Sequence, residues 1–481
     1  MTQLNLSILI SSLGKATVTG NSEGTVSGWI FNRVSEVKKG QVLFLDKKEY
    51  GLEKVYLAFG NGAKAVVVDH PVVLPARWKD RCLIRVPNAR QAIRNFVRYY
   101  RSRFHIPVIG ITGSVGKSTT KEMIASILRQ QWKIVKTIGN ANLSAHIPGF
   151  IGKLTPEHKA AVFEMGMDRF NQIKTQCSMA KPTIGVMTKI GEAHIGKLMN
   201  KIENVVKAKQ ELIDGLYPKG LLILNADDPY TKCFKLDKFK GRIQYYSQKR
   251  KADFWASEIT TSSGGIRFKA HFNGQVHNFT IPVFGRHNVS NALAATAVAH
   301  NLGFSAEHIR QGLAKFKTPK WRLEIVKGIN GSLLINDSYN ANPTSMRSGL
   351  DVLKDLAVNK TSIAVLGDML ELGLHSTPGH RKVGKYVARK GIDYLYTIGN
   401  LARQIAQAAR EGGMASSRIQ SFSSRQGALP ALSKRLTADS VAFFKASRKA
   451  ALEKLVKELR ANSKSKKTEY NSLKKKKAPV F

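Results

Sequence analysis

The sequence predicts an α/β protein of three domains followed by a short tail, on three observations. Its 481 residues leave room for about three domains of ordinary size. A hydrophobic content of 43% with 8% aromatic residues supports packed cores. Apolar runs of strand length alternate with helical periodicity over residues 103–316, and again over 317–460, which favours mostly parallel sheets. The expected units are a small α/β domain over residues 1–102, a central parallel-sheet domain over 103–316 and a Rossmann-like domain over 317–460. The lysine-rich tail, 461–481, is expected to be disordered.

In the first unit, Leu4 to Leu13 reads as a short helix, Gln41–Leu45 and Ala65–Asp69 as strands, and Asn88–Ser102 as a helix. No catalytic constellation stands out there. The central unit opens on an apolar run, Ile106–Ile111, a glycine-rich turn and an amphipathic stretch, Lys117–Gln130. The turn, Gly110-Ile-Thr-Gly-Ser-Val-Gly-Lys-Ser-Thr-Thr120, sits where backbone N–H groups and a helix N-terminus hold phosphate. Lys117 would reach the outer phosphates and Ser118 would ligate Mg2+. Ile111 stands where the strict spacing asks for glycine, so the match is to a tighter variant, Gly113-x-x-Gly116-Lys117-Ser118.

Further strands are expected at Ala160–Gly166, Pro182–Thr188 and Gly220–Leu224, with a helix over Lys201–Leu216. Glu164, His194 and Asn225 fall at or after strand carboxyl ends, where doubly wound sheets collect ligands. Gly285-Arg-His-Asn-Val-Ser-Asn291 precedes an alanine-rich helix from Ala292, and Asn288 or Ser290 could simply cap it. In the third unit, strands at Ser332–Ile335, Ser362–Leu366, Tyr394–Ile398 and Ser440–Phe444 alternate with helices at Ser345–Leu356, His380–Lys390 and Leu401–Glu411. A last helix is expected to run to Leu459, and no internal repeat is visible.

Seventy-seven basic residues against 33 acidic give a net charge of +44, and the excess is spread along the chain. Such a charge attracts nucleic acid, anionic lipid or anionic substrates, but it also arises from compositional bias or the demands of solubility. No basic-aromatic stacking motif or recognition helix accompanies it, so no specific nucleic-acid partner is expected. Cys82, Cys177 and Cys233 are scattered, which fits a reducing compartment rather than a disulfide framework or zinc cluster. No run reaches membrane-spanning length and no basic n-region opens the chain, so a soluble cytoplasmic protein is expected.

Taken in order, the motifs resemble those of the Mur ligase family. They are the glycine-rich turn, Glu164-Met-Gly-Met167, Gly191-Glu-Ala-His194, Ala208-Lys-Gln-Glu211, Asn225-Ala-Asp-Asp228, Gly285-Arg-His-Asn288, Asp337-Ser-Tyr-Asn-Ala-Asn-Pro343 and Gly367-Asp-Met-Leu-Glu-Leu-Gly373. The last two point to the branch that adds D-alanyl-D-alanine to UDP-N-acetylmuramoyl-tripeptide. The resemblance implies an ATP-dependent amide ligase of peptidoglycan precursor synthesis, acting through an acyl phosphate and releasing ADP and phosphate. It further implies that the first domain binds the UDP-linked substrate and that the enzyme is a monomer working on small molecules.

The same resemblance implies the site. Lys117, Glu164, His194 and Lys209 would be catalytic, and Gly113, Ser114, Gly116, Lys117, Ser118 and Thr119 would hold the ATP phosphates. Asn291 would lie near adenine, Asp337 on the ribose, and Arg322 and Asn342 near the phosphates, with Asn288 also among the ATP-binding residues. Ser118 and Glu164 would hold one Mg2+ and His194 a second, with Lys209 carbamylated by CO2 into a further metal ligand. Without the family, Lys209 would read as half of a surface salt bridge.

Four positions depart from the family pattern. Gly28-Trp-Ile-Phe-Asn-Arg33 lacks an acid expected near the uridine, and Gly139-Asn-Ala-Asn-Leu-Ser144 lacks a consecutive Asn pair. Lys189 replaces an asparagine, and Lys445-Ala-Ser-Arg448 places a Cβ where a glycine is usual, which predicts loop strain. Two other readings follow: a ligase of the same superfamily with a different acid or amine, and a non-catalytic Mur-like protein that binds through its charge.

Overall fold

The computed structural model describes residues 4–461 apart from Tyr50, Asn140 and Ser263. The tail from 462 to 481, read above as disordered, lies outside the described residues.

The first domain is built on a five-stranded sheet in the order Thr17–Thr19, Cys82–Arg85, Ala65–Val68, Gln41–Leu45, Gly28–Phe31. Only Thr17–Thr19 runs antiparallel to its neighbour. The expected N-terminal helix starts later, at Leu6, after the two-residue strand Leu4–Asn5; the Asn5 side chain caps it by accepting from the Ser7 N–H. Helix Ala89–Ser102, capped by Asn88, buries Ala89, Ala92, Ile93, Phe96, Val97 and Tyr100, the i, i+3, i+4, i+7 stripe of an amphipathic helix. Its C-terminal end joins the first domain to the second. Tyr100 donates to the Leu154 carbonyl at 2.9 Å, and Arg101 donates to the carbonyls of Ala180 and Ile106 at 3.0 and 3.1 Å. Replacing Tyr100 by phenylalanine removes that donor from a buried carbonyl and is expected to cost about 1 kcal/mol. Urea denaturation would read this, and an unchanged midpoint would count against the bond.

The central sheet has nine strands. From one edge they are Gln275–Ile281, Gly265–Phe272, Phe254–Ser262, Arg242–Ser247, Leu221–Asn225, Ile184–Met187, Val108–Thr112, Ala160–Glu164 and Ile134–Lys136. The strands from Phe254–Ser262 to Ile134–Lys136 are parallel, and most are buried apolar runs covered by helices on both faces. The alternating β–α reading does not anticipate the antiparallel edge formed by the Gly265–Phe272 and Gln275–Ile281 hairpin. Its turn is Asn273-Gly274, with φ of +51° and +71°, the left-handed pair that such tight hairpins require. The alanine-rich helix starts at His287 rather than Ala292. Asn288 and Ser290 therefore lie inside it, and neither is its N-cap.

The C-terminal sheet runs Glu324–Lys327, Leu333–Asn336, Ser440–Lys445, Thr361–Gly367, Tyr394–Ile398, Ile419–Phe422, and only its first strand is antiparallel. Ala446 is fully buried and its φ is not positive, so the strain expected from its Cβ is absent. The space comes from Gly367 opposite, where an added Cβ would lie 2.7 Å from that of Ala446.

Candidate active site

Strand Val108–Thr112 lies at the switch point of the central sheet: the chain leaves it toward Ala160–Glu164 and Ile134–Lys136 on one side and Ile184–Met187 on the other. Its carboxyl end opens into the glycine turn. Gly113 and Gly116 adopt φ of +148° and +96°, and a Cβ on Gly116 would lie 2.5 Å from Asn291 Oδ1. Only glycine fits such positions without strain. The N–H groups of Ser114 and Val115 donate to the Lys189 carbonyl at 2.7 and 3.1 Å, which braces the turn against the neighbouring strand end. The Ser114 hydroxyl adds a bond to the Gly191 carbonyl at 2.9 Å. Helix Lys117–Leu128 then starts with N–H donors that its own backbone does not use.

Lys117 Nζ folds back onto the Gly113 carbonyl at 2.8 Å. Burial in the cleft and, secondarily, the Arg322 charge lower its pKa from the usual lysine range, against an opposing pull from Glu164. The Ser118 hydroxyl donates to Glu164 Oε2 at 2.7 Å, and Asn142 Nδ2 donates to Oε1 at 2.8 Å. The Glu164 N–H is fixed by the Thr137 hydroxyl at 2.9 Å. Burial would raise the Glu164 pKa, but Lys117, Arg322, Lys121 and the Ser118 bond together hold it below the usual carboxylate range. A buried carboxylate beside a serine hydroxyl is a pair of hard oxygen donors, the chemistry that suits Mg2+. Among the described residues no three His, Cys, Asp or Glu side chains form a metal cluster. Mg2+ commonly takes only one or two protein ligands and completes its shell with phosphate and water, so the Ser118–Glu164 pair fits it.

Lys209, on helix Ile202–Asp214, points into the same cleft and is only 3% exposed. It makes no ion pair among the described residues, so the surface salt bridge considered above does not form. Burial, with Lys117 adding to it, drives its pKa well below the lysine range and favours a neutral amine. His194, at φ +62°, reaches across to the C-terminal domain, where its Nδ1 lies 2.6 Å from Glu371 Oε2.

The cleft, with a volume of about 300 Å3, lies between the central and C-terminal domains. Gly113, Ser114, Gly116, Lys117, Ser118, Glu164, His194, Lys209, Arg322 and Asn342 all line it. It is continuous with a second recess lined by Gly116, Thr119, Asn288, Asn291, Arg322 and Asp337. Every residue assigned above to ATP, metal or catalysis thus lines one of these two recesses. Asn225, singled out at a strand end, lines neither; it is buried and its Oδ1 accepts from the Asp227 N–H at 3.0 Å, a local turn contact. Several of the recess residues already have partners. Asn291 Oδ1 accepts from the Thr120 hydroxyl at 3.2 Å, and its Nδ2 donates to Asn288 Oδ1 at 2.9 Å, tying the alanine-rich helix to the phosphate-loop helix. Asn342 caps helix Pro343–Leu356 by accepting from the Ser345 N–H at 2.8 Å. Asp337 is paired with buried Lys445 at 2.5 Å. Arg322 lies 4.2 Å from the ring centroid of Tyr339, a cation–π contact that positions the guanidinium at the cleft.

Sequence reasoning did not single out Thr137, Lys121, Asn142, Tyr339 or Glu371 as site residues. Asn142 and Glu371 sit within segments already noted, but a motif match alone does not show what they touch. Lys121 is 1% exposed and 3.8 Å from Glu164, a pairing that only the fold reveals.

Fold and cleft together define a phosphate-loop nucleotide enzyme whose site is shared by a parallel-sheet domain and a Rossmann-like domain. Comparison with known proteins agrees: residues 111–299 match the Mur ligase middle domain, and residues 321–448 match the family described as Mur ligase, glutamate ligase domain. The chain is 33% identical to UDP-N-acetylmuramoyl-tripeptide–D-alanyl-D-alanine ligase of Bacillus subtilis over 402 residues, covering 84% of this chain and 86% of that one. The Escherichia coli protein of the same name is 30% identical over 408 residues, covering 84% and 87%. The crystal structure of MurF from Acinetobacter baumannii superposes with a TM-score of 0.85 at 27% identity, covering 95% of this chain and 99% of that one. The chain belongs to the Mur ligase family.

Proposed function

We propose that the protein joins D-alanyl-D-alanine to UDP-N-acetylmuramoyl-tripeptide at the expense of ATP, releasing ADP and phosphate. The observation that carries this reading is a single cleft in which the phosphate loop, the Ser118–Glu164 pair and the buried amine of Lys209 converge. The names of the relatives supply the substrates.

The chemical difficulty is to bring a carboxylate to the γ-phosphate of ATP, two anions that repel. Loop N–H groups and the Lys117 ammonium neutralise the transferred phosphoryl group as charge develops on it. For this, Lys117 leaves the Gly113 carbonyl and turns to the outer phosphates. Mg2+ held by Ser118 and Glu164, with a second ion at His194, would withdraw charge from the phosphoryl oxygens. The substrate carboxylate attacks the γ-phosphorus, forming an acyl phosphate and ADP. The D-alanyl-D-alanine amine then adds to the acyl carbon, and collapse of the tetrahedral intermediate expels phosphate.

The low pKa of Lys209 supports carbamylation, because only a neutral amine attacks CO2; the new N–C bond gives an oxygen-bearing carbamate anion, and the proton lost from nitrogen passes to solvent. Asn288, Asn291 and Asp337 line the recess assigned to the nucleoside, and Arg322 and Asn342 line the cleft where the phosphates would lie. The first domain takes the UDP end. The enzyme is taken to act as a monomer, and ATP with a UDP-linked substrate fits the cytoplasm. No helix among the described residues is long and apolar enough to cross a membrane.

The test is phosphate release by the purified protein with Mg-ATP, UDP-N-acetylmuramoyl-tripeptide and D-alanyl-D-alanine, omitting one at a time. Release that requires all three, with an amide product of the expected mass, supports the assignment. Turnover with another acid or amine in place of these would move the function to a different ligation.

A further inference from the structure

We propose that Glu371 is a positioning residue of the ligase site: from the C-terminal domain it clamps His194 of the central domain, so that the metal position at His194 is completed only when the two domains dock. This rests on the reading above that His194 holds a metal ion.

The geometry is specific. Glu371 Oε2 is 2.6 Å from His194 Nδ1, which leaves Nε2 as the ring nitrogen free to ligate. The other oxygen, Oε1, is held by Lys197 Nζ at 2.8 Å, and the same ammonium is anchored by Asp168 Oδ2 at 3.2 Å. The carboxylate is therefore fixed at both ends. Its backbone is fixed too, because the Gly196 N–H donates to the Glu371 carbonyl at 3.0 Å.

The docking strip extends beyond that pair. The Leu374 N–H donates to Asn200 Oδ1 at 2.9 Å, and His375 Nε2 donates to the Asn200 carbonyl at 2.8 Å. Gly196 and Gly373 touch so closely that a Cβ on Gly196 would lie 2.5 Å from the Gly373 nitrogen. His194, Asn200, Glu371 and Gly373 all take left-handed backbone conformations, with φ between +55° and +64°. Two loops shaped this way meet along a defined line. Among the described residues, Glu371 is the carboxylate on that line that reaches His194.

Carboxylates that orient a ligating imidazole typically matter 10- to 100-fold in metal affinity. The test is Mn2+ binding, read by the electron paramagnetic resonance signal of free Mn2+, with the non-hydrolysable analogue AMPPNP bound. Wild type, His194→Ala, Glu371→Ala and Glu371→Gln are compared, after thermal melting shows each is folded. His194→Ala and Glu371→Ala are both expected to weaken Mn2+ binding, the latter by about tenfold. Glu371→Gln should recover part of the loss, since its amide oxygen still accepts from Nδ1. Mn2+ affinity within about twofold of wild type in Glu371→Ala, with His194→Ala impaired, would overturn the positioning role alone. Unchanged affinity in His194→Ala would remove the metal reading of His194, and this proposal with it.

Discussion

Replacing Lys117 by alanine is expected to lower the rate of ATP-dependent ligation by about a thousandfold, roughly 4 kcal/mol of transition-state stabilisation. The size follows from the position. The Lys117 ammonium stands within the phosphate turn, beside Arg322 and Glu164, in a cleft where burial disfavours its charged form. A cation held in such surroundings interacts strongly with an anion that arrives there, because little water screens the pair. Much of the loss should appear in kcat, since the charge it meets grows as the phosphoryl group transfers. Stability should change little, as among the described residues Nζ bonds to loop carbonyls and sits in no ion pair. Steady-state kinetics checks this: a fall of less than about tenfold would mean that the loop N–H groups and metal suffice.

Lys209→Ala carries the second large effect, a loss of about a hundredfold or more if the side chain acts as a carbamate. A lysine that is 3% exposed without an ion pair, with its pKa far below the usual range, has no evident structural reason to be a lysine. The alanine variant leaves a space where a small carboxylate fits. Added acetate or formate should therefore restore part of the activity, and should do nothing for Lys117→Ala. Unchanged turnover in Lys209→Ala would remove the carbamate from the mechanism. Lost activity without rescue by either acid would leave a positional role only.

What could be read from the sequence was local. The phosphate turn announces itself because strand, glycines, lysine and helix lie within a dozen residues and their spacing is dictated by phosphate geometry. Glu164 was legible for a related reason: it ends a five-residue apolar strand, the place where a doubly wound sheet presents ligand-binding groups. The helix start at His287 was misplaced because an Ala-rich run dominates helix propensity, whereas the first turn here carries Asn288 and Asn291, weak helix formers that bond to each other and to Thr120. The edge hairpin at 265–281 was missed although Asn273-Gly274 signals it, since reading for β–α alternation leaves no place for two consecutive antiparallel strands. The pairs that close the cleft were out of reach. Lys445 meets Asp337 and Glu371 meets His194 across 108 and 177 residues, and no periodicity encodes such contacts.

Ala446 shows the limit of a pattern departure taken alone. Its Cβ is accommodated by Gly367, so the substitution carries no backbone strain and leaves Ser447 able to accept from the Leu370 N–H at 2.8 Å. Lys189 is likewise compatible with a braced turn, because it is its carbonyl, not its side chain, that receives the Ser114 and Val115 bonds.

In the proposed reaction, ATP activates the peptide carboxylate as an acyl phosphate in the cleft of Lys117 and Glu164. The direct measurement uses UDP-N-acetylmuramoyl-tripeptide carrying heavy oxygen in its terminal carboxylate, with ATP and D-alanyl-D-alanine, and follows the label by mass spectrometry. Each phosphate released is expected to carry one oxygen from the carboxylate, because the bond broken on amide formation is between that oxygen and the acyl carbon. Phosphate free of label, with ATP consumed and amide formed, would contradict it.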